Sequence, residues 1–164
     1  MKSNRIALFS AAIALMILTV PFAFGCEPTG WVTGGGQCIT PLSGTIPSAS
    51  FGFNAMWSKD GTPKGEINYV DLITGQHVHV HELTYLHVWG TMEGNKPSEL
   101  KYAEFKGYDV YSGLLVEVHV EDHGEPGTND IFHIDLGGVH LGGSNSVPIL
   151  AGNIQTHKLT GGPT

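Results

Sequence analysis

Arginine is almost absent from this sequence, since Arg5 is its only example among 164 residues. Beyond residue 25 the chain keeps 6 of its 8 basic residues, all of them lysine, and all 15 acidic residues. That part therefore has a formal net charge of −9 when its histidines are neutral. Contacts with nucleic acid or with anionic lipid need clustered positive charge. The composition therefore argues against both as partners and is compatible with divalent cations.

Groups for covalent catalysis are equally scarce. The chain has 2 cysteines, and no serine stands in the Gly-x-Ser-x-Gly pattern of a nucleophile elbow. Gly34-Gly35-Gly36 does not predict a phosphate-binding loop, because no helical pattern follows it. We therefore expect a protein that is not an enzyme.

The N-terminus has the pattern of a secretory signal. Lys2 and Arg5 precede an uncharged apolar run over residues 6–20, and Ala23-Phe24-Gly25 places small residues before a cleavage point. A retained membrane helix is the alternative, but it needs about 20 apolar residues, and proline and glutamate interrupt this run too early. We predict a signal peptide at residues 1–25 and hence a secreted, extracellular or cell-surface protein.

Cleavage after Gly25 would make Cys26 the first residue of the mature chain. Outside the cytoplasm two cysteines favour pairing, and a Cys26–Cys38 disulfide would contribute roughly 3 kcal/mol in the chain-entropy model. The alternative is a lipid anchor on Cys26, as in bacterial lipoproteins, although Phe24 fits their pattern poorly. We expect contact with a membrane only if Cys26 is lipidated.

Beyond the leader, apolar residues alternate with polar or small ones, which is typical of β-strands rather than helices. The alternation is clearest in three segments. Their apolar faces consist of Phe51, Phe53, Ala55 and Trp57; of Leu114, Val116, Val118 and Val120; and of Phe132, Ile134 and Leu136. Weaker patterns occur at residues 67–71, 76–81, 83–89, 102–106 and 149–157, with glycine-rich turns between them.

These segments predict one all-β domain over residues 26–164, built as a β-sandwich or a flattened barrel. We expect about eight to ten mostly antiparallel strands. Residues 26–48 and 158–164 are rich in Gly, Pro, Ser and Thr, and we expect them to form loosely structured ends.

The most distinctive motif is His77-Val78-His79-Val80-His81. On a strand, its three histidines project from one face and its two valines from the other. His119 and His133 also lie opposite apolar faces, so these five imidazoles could converge on one ion. Neutral imidazole is a common ligand of zinc, copper and nickel. The alternative is a solvent-exposed face that is rich in histidine without binding a metal.

Residues 122–130 form an acidic loop between two of the clearest strands. Asp122, Glu125 and Asp130 offer the oxygen ligands that calcium prefers, but their spacing is not that of an EF-hand. Pro126-Gly127 suits the central positions of a type II turn, in which aspartates bond local amides. We favour the turn and keep a calcium loop as the alternative.

A series of short motifs follows the chain in a characteristic order. They occupy residues 32–36, 51–55, 67–71, 78–79, 104–107, 122–130 and 152–155. Together they resemble the post-COAP domain family, and the similarity covers about residues 32–158. The resemblance implies an extracellular β-rich module of secreted and surface proteins of bacteria and archaea, found after choice-of-anchor regions. It implies no catalytic or ligand residues.

The sequence thus favours a secreted, non-enzymatic β-sandwich that serves in binding or assembly at the cell surface or in the extracellular matrix. Its partner would be a surface or matrix protein, a polysaccharide, or another copy of the chain, because open sheet edges accept a further strand. The alternative is a histidine-based metal-binding protein, or a small metal-dependent enzyme. Its cofactor would be a divalent transition metal, and calcium would occupy the acidic loop.

Overall fold

The structure is a computed structural model that describes residues 30–93 and 96–159. Within these residues the chain forms ten strands. They are β1 (Gly30–Cys38), β2 (Ala49–Trp57), β3 (Pro63–Asp71), β4 (His77–Val80), β5 (Leu83–Glu93), β6 (Lys96–Tyr108), β7 (Leu115–Glu121), β8 (Ile131–Leu136), β9 (Val139–Gly143) and β10 (Ala151–Lys158).

The strands form two antiparallel sheets of five. The first sheet has the order β10-β1-β2-β3-β4, and the second has the order β5-β6-β7-β8-β9. β4 and β5 follow each other along the chain but belong to different sheets, so the structure is a sandwich rather than a closed barrel. The predicted all-β fold and its number of strands are confirmed. In the described ranges no helix is long and apolar enough to cross a membrane.

Three strands confirm the predicted alternation of buried and outward-facing side chains. Along β2, β7 and β8 the apolar side chains of alternate residues are buried between the sheets, while the intervening ones are half-buried on the outside. Leu114 differs from the prediction, because it lies one residue before β7 and is 48% exposed. The period of two therefore identifies most of the core directly from the sequence.

Phenylalanine rings join the two sheets at the centre of this core. Phe51 of β2 stacks on Phe132 of β8, with ring centroids 3.8 Å apart and planes 7° apart. Phe53 lies 4.9 Å from Phe105 of β6. These stacks cross from the first sheet to the second, and stacked aromatic pairs contribute beyond the apolar area that they bury. They hold the sheets together and turn every second residue outward.

Residues 30–38 differ from the prediction of a loosely structured end over 26–48. They form β1, which pairs with β10 on one side and with β2 on the other. Gly34 explains the misreading, because it has no side chain to show alternation. A Cβ at Gly34 would lie 2.6 Å from the ring of Phe53, so the glycine makes room for that ring. At the other end, Lys158 completes β10, and residues 160–164 lie outside the described residues.

Buried carboxylates tie the loops to the sheets. Asp109, which is 2% exposed, accepts hydrogen bonds from the backbone N–H groups of His79 (2.9 Å) and Ser112 (2.8 Å) and from the Ser112 hydroxyl (2.6 Å). Burial by itself would raise the pKa of Asp109, but these hydrogen bonds outweigh it and hold the pKa below its ordinary value. Asp109 therefore links β4 to the β6–β7 loop in its charged form.

We expect Asp109→Asn to destabilise the fold at pH 7 by about 1–3 kcal/mol, because it weakens bonds to buried donors. The folded-state pKa lies below the unfolded value, so the charge stabilises the fold above an ordinary Asp pKa of about 3.9. That contribution is lost as the pH falls through the folded-state pKa. Urea denaturation at pH 7 and at a pH below the folded-state pKa of Asp109 measures this effect. The difference in unfolding free energy between Asp109→Asn and wild type should be smaller at the acid pH. Glu66→Gln, at an exposed position, is the control. If Asp109→Asn lowered the free energy of unfolding by the same amount at both pH values, the stabilising role of the Asp109 charge would be contradicted.

Candidate binding face of the second sheet

The outer face of the second sheet carries a dense set of aromatic, imidazole and carboxylate side chains. They alternate with buried residues and align in cross-strand rows. The part on β5 and the middle of β6, which we call the aromatic half, consists of Tyr85, His87, Trp89 and Tyr102. The part on β7, β8 and β9, which we call the histidine–carboxylate half, consists of Glu117, His119, Glu121, His133, Asp135 and His140.

The aromatic half is an ordered group of rings. Trp89 and Tyr102 lie opposite each other on β5 and β6, with centroids 5.6 Å apart and planes 22° apart. His87, two residues earlier on β5, stacks on Trp89 with centroids 4.7 Å apart and planes 24° apart. Tyr85 is 38% exposed, and Lys106 Nζ lies 5.5 Å from its ring centroid. Side chains that pack in this way lose little further conformational freedom when they bind a ligand.

Lys106 lies between the two halves and balances two carboxylates. Its Nζ lies 2.6 Å from Glu117 Oε1 and 3.0 Å from Glu104 Oε1. Hydrogen bonds to Glu117 and then to Glu104 raise the pKa of Lys106 above its ordinary value. Lys106 thus pairs with Glu104 and Glu117. The other carboxylates of this face, Glu121 on β7 and Asp135 on β8, pair with histidines instead.

In the histidine–carboxylate half, two imidazoles meet one carboxylate. Asp135 Oδ1 lies 3.0 Å from His133 Nε2 and 3.2 Å from His140 Nδ1. The two rings stack with centroids 4.4 Å apart. One ligand atom from each of these three residues lies within 4.8 Å of the other two. Among the described residues this is the one group of three that is close enough to hold a metal ion.

His119 belongs to a neighbouring interaction. It lies opposite His133 in the register of β7 and β8, but its Nε2 lies 3.3 Å from Glu121 Oε1. His123 Nε2 lies 2.9 Å from the other oxygen of Glu121. The predicted ligands His119 and His133 therefore share a face while pairing with different carboxylates.

The histidines of the His77–His81 motif lie on the opposite side of the molecule. Val78 and Val80 of β4 are buried between the sheets, which confirms that the histidines face outward. Because β4 belongs to the first sheet, they project away from the second sheet. The predicted convergence of five histidines therefore does not occur, since the sandwich core separates the two sets.

Within the motif itself the imidazoles form a pair rather than a trio. His79 Nε2 lies 3.1 Å from His81 Nδ1, and His79 Nδ1 lies 2.5 Å from Asn68 Oδ1. The ring of His77 is directed toward Tyr111, at 5.3 Å. No metal-sized cluster of three ligands in the described part of the chain includes these histidines.

The sequence does not identify Asp135 and His140 as members of the cluster on β8 and β9. Asp135 is one of the polar residues that alternate with Ile134 and Leu136, and His140 follows Gly137-Gly138, where no alternation is visible. Both glycines have positive φ, at 58° and 79°, and the tight turn that they form places His140 opposite Asp135. A glycine pair between two strands is a hairpin signal that could have identified this contact.

The acidic loop over residues 122–130 uses its carboxylates for internal hydrogen bonds. Asp130, which is fully buried, accepts from the backbone N–H groups of His123 (2.9 Å) and Ile154 (2.8 Å). Asp122 accepts from the backbone N–H of Thr156 at 2.8 Å. The loop is thereby attached to β10, as the preferred turn interpretation requires.

Glu125 also attaches the loop to β10, and the turn at Gly127 is of a different type from the one predicted. Glu125 Oε1 accepts from the side-chain amides of Asn153 (2.8 Å) and Gln155 (2.6 Å). Gly127 lacks the positive φ that a type II turn requires at its third position, so the predicted turn type is wrong. A Cβ there would lie 2.5 Å from Asp130 Oδ2, and the glycine is needed for that close approach.

We expect millimolar calcium to leave the melting temperature unchanged, because the three carboxylates of this loop already accept hydrogen bonds from protein donors. Asp130→Ala should lower the melting temperature markedly, since it leaves the buried N–H of Ile154 and the half-buried N–H of His123 without an acceptor. Differential scanning calorimetry with calcium and then with a chelator would test both statements. A rise in melting temperature with calcium that Asp130→Ala abolishes would restore the calcium interpretation.

Cys38 ends β1 in the core and is 2% exposed. Burial raises the pKa of its thiol to about 12, so a thiol here would be chemically inert. Cys26, its predicted disulfide partner, and the predicted signal peptide lie outside the described residues. The predicted pair does not fit the fold, because the eight residue steps of β1 from Gly30 to Cys38 extend over about 26 Å. The four residues from Gly30 back to Cys26 reach at most about 14 Å, whereas a disulfide needs Cα atoms less than about 7 Å apart.

Comparisons of this chain with protein-family models, with curated proteins and with solved structures found no match.

Proposed function

We propose that this protein is a secreted, non-enzymatic β-sandwich module that binds a neutral polysaccharide at the cell surface or in the extracellular matrix. The aromatic half of the second sheet's outer face is the observation that carries the proposal. Its three stacked rings and the exposed Tyr85 lie on a rigid sheet and are not needed for the core. Clustered aromatic side chains outside a core are characteristic of binding surfaces.

The chemistry of a sugar chain matches these side chains. A pyranose presents an apolar C–H face that packs on aromatic rings, and hydroxyls that bond to imidazole, phenol and carboxylate groups. Tyr102 and Glu104 are separated by one residue on β6 and face outward together. Rings and hydrogen-bonding groups are therefore adjacent, as a bound sugar requires.

The shape of the face favours a polymer over a small ligand. Tyr85, His87 and Trp89 are alternate residues of β5, so at about 3.4 Å per residue they extend over about 14 Å. This distance exceeds the length of a single sugar ring. The open sheet surface would contact successive units of a chain rather than enclose one molecule.

The net negative charge of the protein restricts which polysaccharides it can bind. With its predicted signal removed, the protein has 15 acidic residues against 6 lysines, and Lys106 on this face already pairs with Glu104 and Glu117. Such a surface repels uronates and sulfated polymers. A neutral polymer is the better match.

The order of motifs over residues 32–158 supports a second part of the proposal, namely a relationship with the post-COAP domain family. The predicted signal over residues 1–25 supports export. Both features agree with a module that works outside the cell.

We expect Trp89→Ala and Tyr102→Ala each to weaken binding to neutral polysaccharide by about tenfold or more, as is usual for aromatic hot spots. The protein would be tested in native gels containing neutral glucan, mannan or xylan, with alginate as the anionic comparison. Isothermal titration with hexasaccharides of the retaining polymer would give the affinity.

Trp31→Ala is the matched control, because Trp31 stacks on His157 at 3.7 Å in the first sheet. It should retain wild-type binding, and calorimetry should show that all three variants are folded. The proposed surface would be refuted if no neutral polymer slowed the protein in the gel. It would also be refuted if Trp31→Ala and Trp89→Ala weakened polysaccharide binding equally.

Export can be tested separately by the intact mass of the protein recovered from the medium. We expect a chain that begins at Cys26, because cleavage after Gly25 removes the predicted leader. Protein kept inside the cell with its leader attached would contradict export. An added acyl group would instead assign Cys26 to a lipid anchor.

A further inference from the structure

The histidine–carboxylate half contains a cluster that polysaccharide binding does not require. His133 and Asp135 lie two residues apart on β8, so both project from the outer face. His140 reaches the same point from β9, directly opposite Asp135. Two strands and a tight turn therefore hold three donor groups together, without any contribution from a flexible loop.

We propose that His133, Asp135 and His140 form a binding site for a divalent transition metal ion of the zinc, nickel and copper group. Two imidazole nitrogens and one carboxylate oxygen are donors that these ions accept, whereas calcium and magnesium prefer oxygen alone. The donor atoms lie within 4.8 Å of one another, so small side-chain adjustments bring them to one ion. Zinc needs distances of about 2.0–2.2 Å to such donors.

The contacts now present already direct both imidazoles toward the same oxygen, Asp135 Oδ1. The stacking of His133 and His140 at 4.4 Å keeps both rings in place for a ligand.

The cluster carries its own negative charge and is open to solvent. Asp135 supplies that charge, since Glu117, which lies opposite it on β7, is paired with Lys106. His133 and Asp135 line a shallow cleft of about 300 Å³, and His133 and His140 line a neighbouring one of about 410 Å³. Three protein ligands leave the fourth position of a tetrahedral ion open to solvent, so an exchangeable water or ligand group would occupy it.

The test is isothermal titration of the chelator-treated full chain with Zn²⁺ alone, followed by Co²⁺ absorption spectra that report nitrogen and oxygen coordination. We expect one ion per chain. His140→Ala and Asp135→Asn should each weaken binding by more than about 100-fold, since changes to outer-shell partners alone cost about 10–100-fold. His140 is 37% exposed in its side chain, so its removal should leave the fold intact, as circular dichroism would show.

His119→Ala is the matched control, because His119 lies on the same face beside His133 but bonds to Glu121. It should keep its affinity within a few-fold of wild type.

A triple change of His77, His79 and His81 to alanine should also retain one ion per chain. Absence of stoichiometric Zn²⁺, loss of the ion in the triple variant, or equal weakening by His119→Ala and His140→Ala would overturn the site. Polysaccharide binding by the His140→Ala variant would be measured alongside, since it depends on the aromatic half and is expected to survive.

Discussion

The stack of Phe51 on Phe132, extended by Phe53 and Phe105, is the contact on which the rest of the molecule depends. It joins the centres of two sheets that share no backbone pairing. Because strand side chains alternate, burying these rings determines the orientation of every other residue on β2, β6 and β8. A slip of one residue in any of them would put phenylalanine into water and the outer residues into the core.

Carboxylates stabilise the loops at both ends of this sandwich. Asp71 accepts backbone hydrogen bonds from Ile73 and Thr74 at the β3–β4 turn. Asp109 and Asp130 perform the same task for the loops after β6 and β7. Buried backbone N–H groups need acceptors, and these aspartates supply them where the sheets end. Much of the acidic character that is visible in the sequence is therefore structural, which is why the loop at residues 122–130 is poorly suited to calcium.

The outer face of the second sheet is where this framework carries side chains that the core does not need. Its aromatic half offers packed rings beside hydrogen-bonding groups, which suits a polymer of neutral sugars. Its histidine–carboxylate half places His133, His140 and Asp135 within coordinating distance of one another. The two halves adjoin on this face, where the ring of Trp89 lies 6.0 Å from that of His119. The two proposed ligands nevertheless use different side chains, since His133, Asp135 and His140 do not belong to the aromatic half.

Local patterns in the sequence determined the fold class, the buried faces of β2, β7 and β8, and the outward direction of His77, His79 and His81, since the two-residue period is a property of each strand alone. They did not reveal β1, whose glycines hide the alternation. Only the tertiary structure decided which sheet each strand joins, and this placed the motif around His79 on one side of the core and His133 on the other. It also brought His140 to Asp135 across the β8–β9 turn. Sheet membership and register depend on pairing between distant strands, and no local period encodes that pairing.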